Sequence, residues 1–329
     1  MEASGMMRAI VSTRYGNPET LQLMEVERPV PVNNEVLVKV HAASLNKSDW
    51  YMMTGKPFLV RMMAGGRQKK GMRGIGSDLA GVVEAVGENA RRFKLGNEVF
   101  GNTSVERLGS CAEYVCVPEE QLAPKPCNIS LEEAAAAPLA GMTALQGLRG
   151  MGHIGPGKKV LVHGASGGVG TFAVQIARAF GAEVDAVTSP RHVDAARHLG
   201  AGRVIDYTRE DFTADPRKYD IVFVANGSRS VFDYWRALNP GGVCIVSGGS
   251  MAQFAQAGVL GPFASLGNRK IRLLSEKNSQ EDLAMLKDML EEGAVVSIID
   301  KSYLLSEVPQ AMTYLGQGHS GGKIVITVP

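Results

Sequence analysis

The 329-residue sequence has little of several features that would fix its class at once. It has four cysteines, too few and too unevenly spaced for a disulfide framework, which indicates a reducing compartment. The formal net charge of +2 gives no reason to expect a nucleic acid or an acidic membrane as partner. No apolar run reaches the roughly 18 residues that span a bilayer, and the first residues lack the pattern of a signal sequence. We therefore expect a cytoplasmic protein without a membrane span.

The length, with 45% hydrophobic and 21% charged residues, favours a globular protein of two domains. Up to about residue 125, short β-branched runs alternate with turn residues, which predicts a compact β domain. We expect its strands at 8–11, 35–41, 81–86, 98–100 and 112–117. Pro124-Lys-Pro126 marks a joint, and Ser130 with Glu133 forms a capping-box signature before an alanine-rich helix that we expect to end near Pro138.

From residue 158 onward, predicted strands and helices alternate, which indicates a doubly wound parallel sheet. We expect its strands at 159–162, 183–187, 203–205, 220–224, 242–246 and 271–274, with helices over 171–180 and 280–292. The last strand, 323–328, is short and alternating like the amino-terminal ones, so we assign it to the β domain. The predicted fold is α/β: residues 125–292 form a dinucleotide-type domain inserted into a β domain of 1–124 and 293–329, with a cleft between them.

The segment 160–170 carries the strongest motif, a β-rich run that enters a glycine-dense turn and then a helix. Such a turn presents the first N–H groups of the helix to an anion, usually the pyrophosphate of a dinucleotide. Gly167 and Gly170 keep two positions of the Gly-x-Gly-x-x-Gly pattern, and Ala165 replaces the first. The expected contacts are Ala165, Ser166, Gly167, Gly168, Val169 and Gly170. The alternative is a turn that only reverses the chain.

The residues after the second strand favour NADPH over NADH. An NAD site places a carboxylate about 20 residues beyond the last glycine, which falls near Ser189, and none is present there. Ser189 and Arg191 would bind a 2′-phosphate through charge-assisted hydrogen bonds. Asp185 is the competing acidic residue, but it lies too early, in the middle of the strand. Arg191 could instead be a solvated residue at a helix start.

Several segments together resemble the zinc-independent branch of the medium-chain dehydrogenase/reductase superfamily, the quinone oxidoreductase-like proteins. The resemblance covers nearly the whole chain and includes the glycine turn, with further motifs at 43–49, 76–87, 93–101, 138–145, 204–207 and 318–325. It implies a chaperonin-10-like (GroES-like) β barrel as catalytic domain, a Rossmann domain for the cofactor, and an active site in the interdomain cleft.

The resemblance also implies roles for single residues. Thr143 should lie near the nicotinamide, and Tyr207 with Arg191 near the adenosine phosphate. Asn226, Ser247 and Gly248 follow the fourth and fifth strands, at the sheet edge where ligands bind. Lys323 should reach the cofactor from the returning segment. For Tyr207 and Asn226, ordinary turn packing is the alternative.

By motif alignment, the three catalytic ligand positions of the zinc-dependent branch are Asn46, Ser77 and Leu139. None supplies a thiolate or an imidazole, so we expect no metal. What remains is transfer of hydride from NADPH to a quinone or to the C=C of an α,β-unsaturated carbonyl. Asn46 is the expected donor to the substrate carbonyl and a cofactor contact, and the cofactor's own ribose hydroxyl is the alternative donor. Tyr51 is a second donor or a pocket wall. Asp49 and Asp78 are interpreted as structural.

Residues 57–73 mix apolar side chains, glycines and five positive charges. One interpretation is a lid for a phosphate-bearing acceptor, which would make the protein an enoyl-thioester (coenzyme A or carrier-protein) reductase. The other is a solvated loop packed on the barrel. A non-catalytic NADPH-binding regulatory protein is a further alternative. The sixth strand, with residues 258–260, is an expected edge for a homodimer.

Overall fold

The computed structural model describes residues 5–56, 73–103, 109–265 and 267–329. The chain divides into two compact units. The first unit comprises Met1–Leu139, Asn278–Glu291 and Ser297–Pro329, and the second comprises Ala140–Lys277 and Glu292–Val296. Of the basic stretch at 57–73, residues 57–72 lie outside the described residues, so its two interpretations stay open.

The described strands, numbered in chain order, have the following bounds: β1 Met6–Ser12, β2 Gln22–Glu27, β3 Glu35–Leu45, β4 Arg73–Gly74, β5 Asp78–Val86, β6 Glu98–Asn102, β7 Tyr114–Pro118, β8 Leu122–Pro124, β9 Lys159–His163, β10 Glu183–Thr188, β11 Arg203–Asp206, β12 Tyr219–Val224, β13 Leu238–Val246, β14 Lys270–Leu273, β15 Ile299–Leu304 and β16 Lys323–Thr327.

The described α-helices are α1 Lys47–Thr54, α2 Leu131–Ala135, α3 Pro138–Leu145, α4 Gly168–Ala179, α5 Val193–His198, α6 Val231–Arg236, α7 Met251–Ala255, α8 Gly261–Ala264, α9 Gln280–Glu291 and α10 Val308–Gln317. Wider π-helical turns occupy Gln146–Met151 and Gln256–Leu260. Single 3₁₀ turns occupy Pro18–Thr20, Glu119–Gln121, Pro190–His192 and Leu305–Glu307. No described helix has the length and apolar content needed to cross a bilayer.

The first unit is built on a sheet in the order β15-β16-β3-β5-β6-β8, with β7 also paired to β3. A second sheet in the order β2-β1-β4 completes it. Strand β3 runs antiparallel to β16 and to β5. Its carboxyl end therefore meets the amino ends of those two strands, which brings three distant parts of the sequence to one place. Apolar side chains such as Val38, Leu79 and Ile326 fill the interior of this unit.

The second unit contains the predicted parallel sheet, in the order β11-β10-β9-β12-β13-β14. Every neighbouring pair is parallel, and this order is that of a doubly wound dinucleotide-binding fold. The six strand predictions are confirmed, with shifted ends. The shift that matters is at β10, which continues to Thr188. All six carboxyl ends lie along one edge of the sheet, and the loops that follow them form the candidate cofactor site.

Local signals at the helix starts are partly confirmed. The hydroxyl of Ser130 accepts from the backbone N–H of Glu133, whose carboxylate accepts from the N–H of Ser130, so the predicted capping box is present. The alanine-rich helix ends earlier than expected, at Ala135, and Pro138 begins a new helix. Proline at a first helical position is favourable because that position has no intrahelical N–H bond to lose.

The bounds of the two compact units differ from the domain bounds expected from the sequence. Residues 125–139 and helix α9 belong with the β unit, whereas the sequence interpretation assigned them to the inserted domain. The side-chain amide of Asn128 donates to the carbonyl oxygens of Leu290 and Glu291, each at 3.2 Å. These contacts join α9 to the segment after β8. The last strand, β16, pairs with β3 in the sheet of the first unit.

Candidate active site and cofactor site

The glycine turn lies between β9 and α4, where it would hold a pyrophosphate. Gly164 has a φ of 84°, a conformation that side chains other than glycine rarely adopt. A Cβ at Gly170 would lie 2.1 Å from the carbonyl oxygen of Gly164, so the helix can pack against the turn only if this residue is glycine. These two positions fix the shape of the turn.

Gly167 differs from Gly170, because a Cβ there would have only the oxygen of Gly164 nearby, at 3.8 Å. The missing side chain therefore leaves open space at the start of α4 rather than relieving a clash. The first turn of α4 contains no acidic residue, and its first N–H groups have no acceptor within the helix. The turn thus fits a dinucleotide pyrophosphate, which needs close backbone approach and unpaired N–H groups.

The other predicted cofactor residues of the second unit follow strand ends at the same sheet edge. The backbone N–H of Asn226 donates to the carbonyl of His163 at 3.3 Å, which places the loop after β12 beside the glycine turn. The N–H groups of Ser247 and Gly248 both donate to the carbonyl of Val224. The structure therefore brings these residues, with the turn 165–170, along one edge.

Ser189 follows Thr188 directly and precedes a 3₁₀ turn, Pro190–His192. The exposed Arg191 lies in this turn. Thr188 itself is 2% exposed, and its hydroxyl has no hydrogen-bond partner among the described residues. A buried orphan hydroxyl is costly in a protein that binds nothing there. Because Thr188 ends the second strand, it occupies the position where NAD-specific folds place their carboxylate.

Two carboxylates on β10 and β11, those of Asp185 and Asp206, are engaged in hydrogen bonds. Asp185 is buried in β10, where it accepts from the hydroxyl of Tyr219 at 2.9 Å and lies 3.1 Å from Nε of Arg217. These contacts hold the Asp185 carboxylate within the sheet. Asp206 ends β11 opposite Thr188, and it accepts from both the N–H and the hydroxyl of Thr208.

A cavity of about 270 Å³ lies at the same edge, lined by His163, Tyr207, Glu210, Phe212, Ser228 and Arg229. The imidazole of His163 is buried, which lowers its pKa to about 4, so the ring is neutral at neutral pH. Its Nδ1 lies 3.2 Å from the carbonyl oxygen of Asn226 and must be the protonated nitrogen, because a carbonyl can only accept. The predicted residue Tyr207 lies on the wall of this cavity, with 55% of its surface exposed.

In the first unit, three residues distant in sequence form a buried polar cluster, which we call the Asn46 cluster: Asn46, Asp78 and Lys323. The ammonium Nζ of Lys323 donates to Oδ1 of Asn46 at 2.5 Å and to Oδ2 of Asp78 at 3.0 Å. The amide Nδ2 of Asn46 donates to the same Oδ2 at 2.8 Å. Lys323 is 3% exposed and Asp78 is fully buried.

Two further donors complete the surroundings of Asp78. The hydroxyl of Ser44 donates to its Oδ2 and the backbone N–H of Leu139 to its Oδ1, both at 2.8 Å. With the amide of Asn46 and the ammonium of Lys323, the carboxylate accepts four hydrogen bonds, the usual capacity of such a group. Three of these bonds end on Oδ2 and one on Oδ1, so the carboxylate is held in one place, which fits its predicted structural role.

Asp49, in the first turn of α1, is hydrogen-bonded to the backbone of Asn46. Its carboxylate accepts from the backbone N–H of Asn46 at 2.7 Å and from the hydroxyl of Ser77 at 3.1 Å. Burial raises the pKa of Asp49 to about 6, with the Asp78 charge adding to the increase, while these hydrogen bonds and Lys323 oppose it. The same carboxylate thus fixes the start of α1 and the backbone of Asn46.

The remaining predicted residues lie on helices. Tyr51 lies on α1, half-buried, and burial raises the pKa of its phenol, so it is protonated at neutral pH. Thr143 lies on α3 in the second unit and is 9% exposed. The structure places Lys323 inside the Asn46 cluster, so its predicted contact with a cofactor stays a prediction.

The three zinc-ligand positions do not fit a metal ion. Asn46, Ser77 and Leu139 present an amide, a hydroxyl and a backbone N–H to the carboxylates of Asp49 and Asp78. Within the described ranges, no group of three or more His, Cys, Asp or Glu residues could hold a metal. A catalytic zinc needs thiolate, imidazole or carboxylate ligands with an open position, so no catalytic step is assigned to a metal here.

Sequence reasoning missed Thr188 and the partnership of Lys323 with Asn46. The first was missed because the strand end was predicted one residue early, at 187. The second joins residues separated by 277 positions in the sequence. One signal could have indicated this contact. Lys323 begins the strand that pairs with the end of β3, and a buried lysine needs a negatively charged partner.

The fold, the glycine turn and the Asn46 cluster together are typical of a two-unit oxidoreductase that binds a dinucleotide. Comparison with known proteins agrees. Residues 32–127 match the family model of the alcohol dehydrogenase GroES-like domain, and residues 199–326 match that of zinc-binding dehydrogenases.

Single relatives match over nearly the whole chain. The chloroplast envelope quinone oxidoreductase homolog of Arabidopsis thaliana is 33% identical over 98% of this chain and 99% of its own. The NADPH-dependent alkenal/one oxidoreductase of the same plant is 34% identical over 97% of this chain and 79% of its own. The solved quinone oxidoreductase of Coxiella burnetii is 30% identical, with a TM-score of 0.87 over 99% of this chain and 100% of that one. The chain belongs to the medium-chain dehydrogenase/reductase superfamily, with the quinone oxidoreductases.

Proposed function

We propose that the protein is an NADPH-dependent reductase that transfers hydride, without zinc, to a quinone or to the C=C of an α,β-unsaturated carbonyl. The observation that carries the proposal is the state of the three zinc-ligand positions, which donate hydrogen bonds to the buried carboxylates of Asp49 and Asp78 instead of offering metal ligands. The names of its relatives, quinone oxidoreductase and alkenal/one oxidoreductase, support the same substrate classes.

NADPH would be held by the second unit. The first N–H groups of α4 would bind the pyrophosphate at Gly167, where no side chain blocks approach. Ser189 and Arg191 would bind the 2′-phosphate, and the hydroxyl of Thr188 would donate to the same ribose. The adenine would enter the cavity beside Tyr207 and His163, whose volume of about 270 Å³ accommodates a purine.

When bound, this cofactor supplies a hydride from nicotinamide C4. The residues of the chain then orient the acceptor and stabilise the charge that develops on it. As the β-carbon of an enone gains the hydride, the electrons of its C=C bond form a new double bond between the α-carbon and the carbonyl carbon, and the electrons of the C=O double bond move to the oxygen. Asn46 would donate to that oxygen, and the phenol of Tyr51 or water would return a proton to the α-carbon. Neither residue needs to change its charge before the reaction.

The direct test is oxidation of NADPH, followed by absorbance, with a panel of quinones, alkenals, alkenones and crotonyl-coenzyme A. Turnover with quinones or enones supports the proposal. Turnover with the thioester alone would identify the enoyl-thioester reductase instead. A raised melting temperature with NADPH, but no turnover on any acceptor, would identify a non-catalytic binding protein.

The cofactor assignment has its own test in Arg191→Ala. Loss of one charge-assisted hydrogen bond should raise KM for NADPH by roughly tenfold and leave KM for NADH unchanged. Arg197→Ala is the matched control, because Arg197 is an exposed arginine of α5 that pairs with Asp194. An unchanged preference for NADPH in Arg191→Ala would count against the phosphate contact.

We further infer a homodimer that forms through β14 and functions in the cytoplasm. Among the described strands, β14 has β13 as its one neighbour, so it is an edge of the sheet. Leu273 on this strand is 43% exposed, and Val259 and Phe263 nearby are 65% and 70% exposed. An exposed apolar edge of this kind favours pairing with a second copy. Light scattering should report a dimer for the wild type and a monomer for Leu273→Glu.

A further inference from the structure

We infer that Lys323 and Asp78 hold the side-chain amide of Asn46 in one orientation, and that the remaining Nδ2–H is the donor that this amide presents to the acceptor's carbonyl oxygen. Lys323 is thus a positioning residue that acts through Asn46. The inference rests on the proposed function, because it specifies how the donor in that reaction is prepared.

The two charged partners leave the amide of Asn46 a single satisfied orientation. The ammonium of Lys323 can only donate, and it lies 2.5 Å from Oδ1. The ionised carboxylate of Asp78 can only accept, and it lies 2.8 Å from Nδ2. Rotating the amide by half a turn would set N–H groups against the ammonium and a carbonyl oxygen against the carboxylate. Both contacts would be repulsive, and both would be buried.

The hydrogen-bond inventory of Asn46 shows what is left over. Its Nδ2 carries two hydrogens, one of which is donated to Asp78. The second has no acceptor among the described residues. Asn46 as a whole is 9% exposed, so it is neither fully enclosed nor solvated. A partly enclosed amide with one unused N–H has the properties of an oxyanion donor.

Lys323 also changes the strength of that donor. A cation bound to the carbonyl oxygen of an amide draws electron density from its nitrogen and makes the N–H a stronger donor. Asp78 opposes this effect, because its carboxylate lies 3.0 Å from the ammonium and 2.8 Å from Nδ2 of Asn46. The main contribution of Lys323 is therefore the orientation of the amide.

Strand pairing holds the parts in place without contributions from flexible loops. Ser44 in β3 lies opposite Asp78 in β5, and Leu45 lies opposite Ile324 in β16. Asn46 follows directly, so Asp78 and Lys323 flank it from the two neighbouring strands. A geometry set by backbone registers is well suited to hold a donor within the fractions of an ångström that a reaction requires.

The experiment is a double-mutant cycle between Lys323 and Asn46, with NADPH and an enone as substrates. Lys323→Met should lower kcat by about tenfold or more, in line with loss of an oxyanion donor. A loss of NADPH affinity with unchanged kcat would overturn the inference and favour a direct contact of Lys323 with the cofactor. Asn46→Ala should lower kcat comparably. In the Asn46→Ala background, Lys323→Met should cause no further loss, because its effect passes through the amide. Lys301→Met is the matched control, since Lys301 is an exposed lysine of β15 whose ammonium lies over the ring of Tyr314.

Two variants separate positioning from folding. Lys323→Arg keeps a cation and should recover part of kcat. Lys323→Met with Asp78→Asn removes both buried charges, so the double variant should recover the melting temperature. It should not recover kcat, because an amide at position 78 can pair with either Oδ1 or Nδ2 of Asn46 and no longer fixes the orientation of that side chain. Full recovery of kcat in that double variant would overturn the inference. So would a Lys323→Met effect of equal size with and without Asn46. If the wild type reduces no acceptor at all, the proposed function itself fails.

Discussion

Lys323 and Asp78 form an ion pair across 245 positions of the sequence, with Nζ 3.0 Å from Oδ2 and both side chains almost wholly buried. Taking two such charges out of water is costly, and the cost is offset only when the remaining polar atoms are also satisfied. Asp78 meets that condition with donors from Ser44, Asn46 and Leu139. The pair is therefore stable as a set, and removing one member leaves an uncompensated charge.

The ion pair predicts that losing one charge destabilises the protein more than losing both. Lys323→Met should lower the free energy of unfolding by about 3–5 kcal/mol, because it leaves the Asp78 carboxylate buried and unpaired. The double variant with Asp78→Asn should regain most of that loss. Thermal unfolding followed by circular dichroism measures both. If the double variant were as unstable as the single one, the charge of Asp78 would not be the cause.

The glycine turn predicts opposite results for two neighbouring alanine substitutions. Gly170→Ala would place a Cβ 2.1 Å from the oxygen of Gly164, so it should lower the melting temperature. Gly167→Ala has room for its Cβ and should leave the melting temperature unchanged. It should nevertheless weaken NADPH binding by about tenfold or more, since the methyl group occupies the space of the pyrophosphate.

The check is a melting curve together with NADPH titration by fluorescence for each variant. Unchanged NADPH affinity in a folded Gly167→Ala protein would show that the turn does not bind the cofactor.

The position of Thr188 predicts a change in cofactor preference. Thr188→Asp would place a carboxylate where NAD-specific folds have theirs, and it would repel a 2′-phosphate. We expect kcat/KM to fall by roughly tenfold or more for NADPH and to rise for NADH. Thr188→Val, which removes the hydroxyl and keeps the volume, is the matched control and should lower affinity for both cofactors alike. A Thr188→Asp variant that still prefers NADPH would contradict the assignment.

Much of the fold could be predicted because periodic strands and a glycine turn are local signals. The six strands of the second unit and the capping box at Ser130 are of this kind. Lys323 and Asn46 could each be named as site residues, but their contact depends on β3 having β16 and β5 on its two sides. Sequence patterns do not reveal strand order. Thr188 was missed because strand ends depend on pairing with neighbouring strands, here the pairing of Thr188 with Asp206 in β11.

Asp49 predicts a specific dependence of stability on pH. Its pKa is raised to about 6 in the folded protein, from an ordinary value of 3.8, so the folded state holds a proton that the unfolded state has lost between these values. Stability from this group therefore falls as pH rises through that window, by up to about 3 kcal/mol. Asp49→Asn removes the contribution and can keep the bond from the N–H of Asn46.

His163 changes stability in the opposite direction over nearly the same pH range. Burial lowers its pKa to about 4, so its contribution to stability increases as pH rises from about 4 toward its ordinary pKa of 6.5. The informative quantity is thus the difference between variant and wild type. The melting temperature of Asp49→Asn relative to wild type should rise between pH 4 and pH 7. A constant difference would mean that Asp49 titrates normally.

The most direct test of a metal-free, NADPH-dependent hydride transfer is the rate of NADPH oxidation with an enone after exhaustive dialysis against a chelator. We predict the same kcat before and after metal removal, no increase when Zn²⁺ is added, and loss of at least about 90% of kcat in Asn46→Ala. Activity that disappears on dialysis and returns with Zn²⁺ would contradict the account.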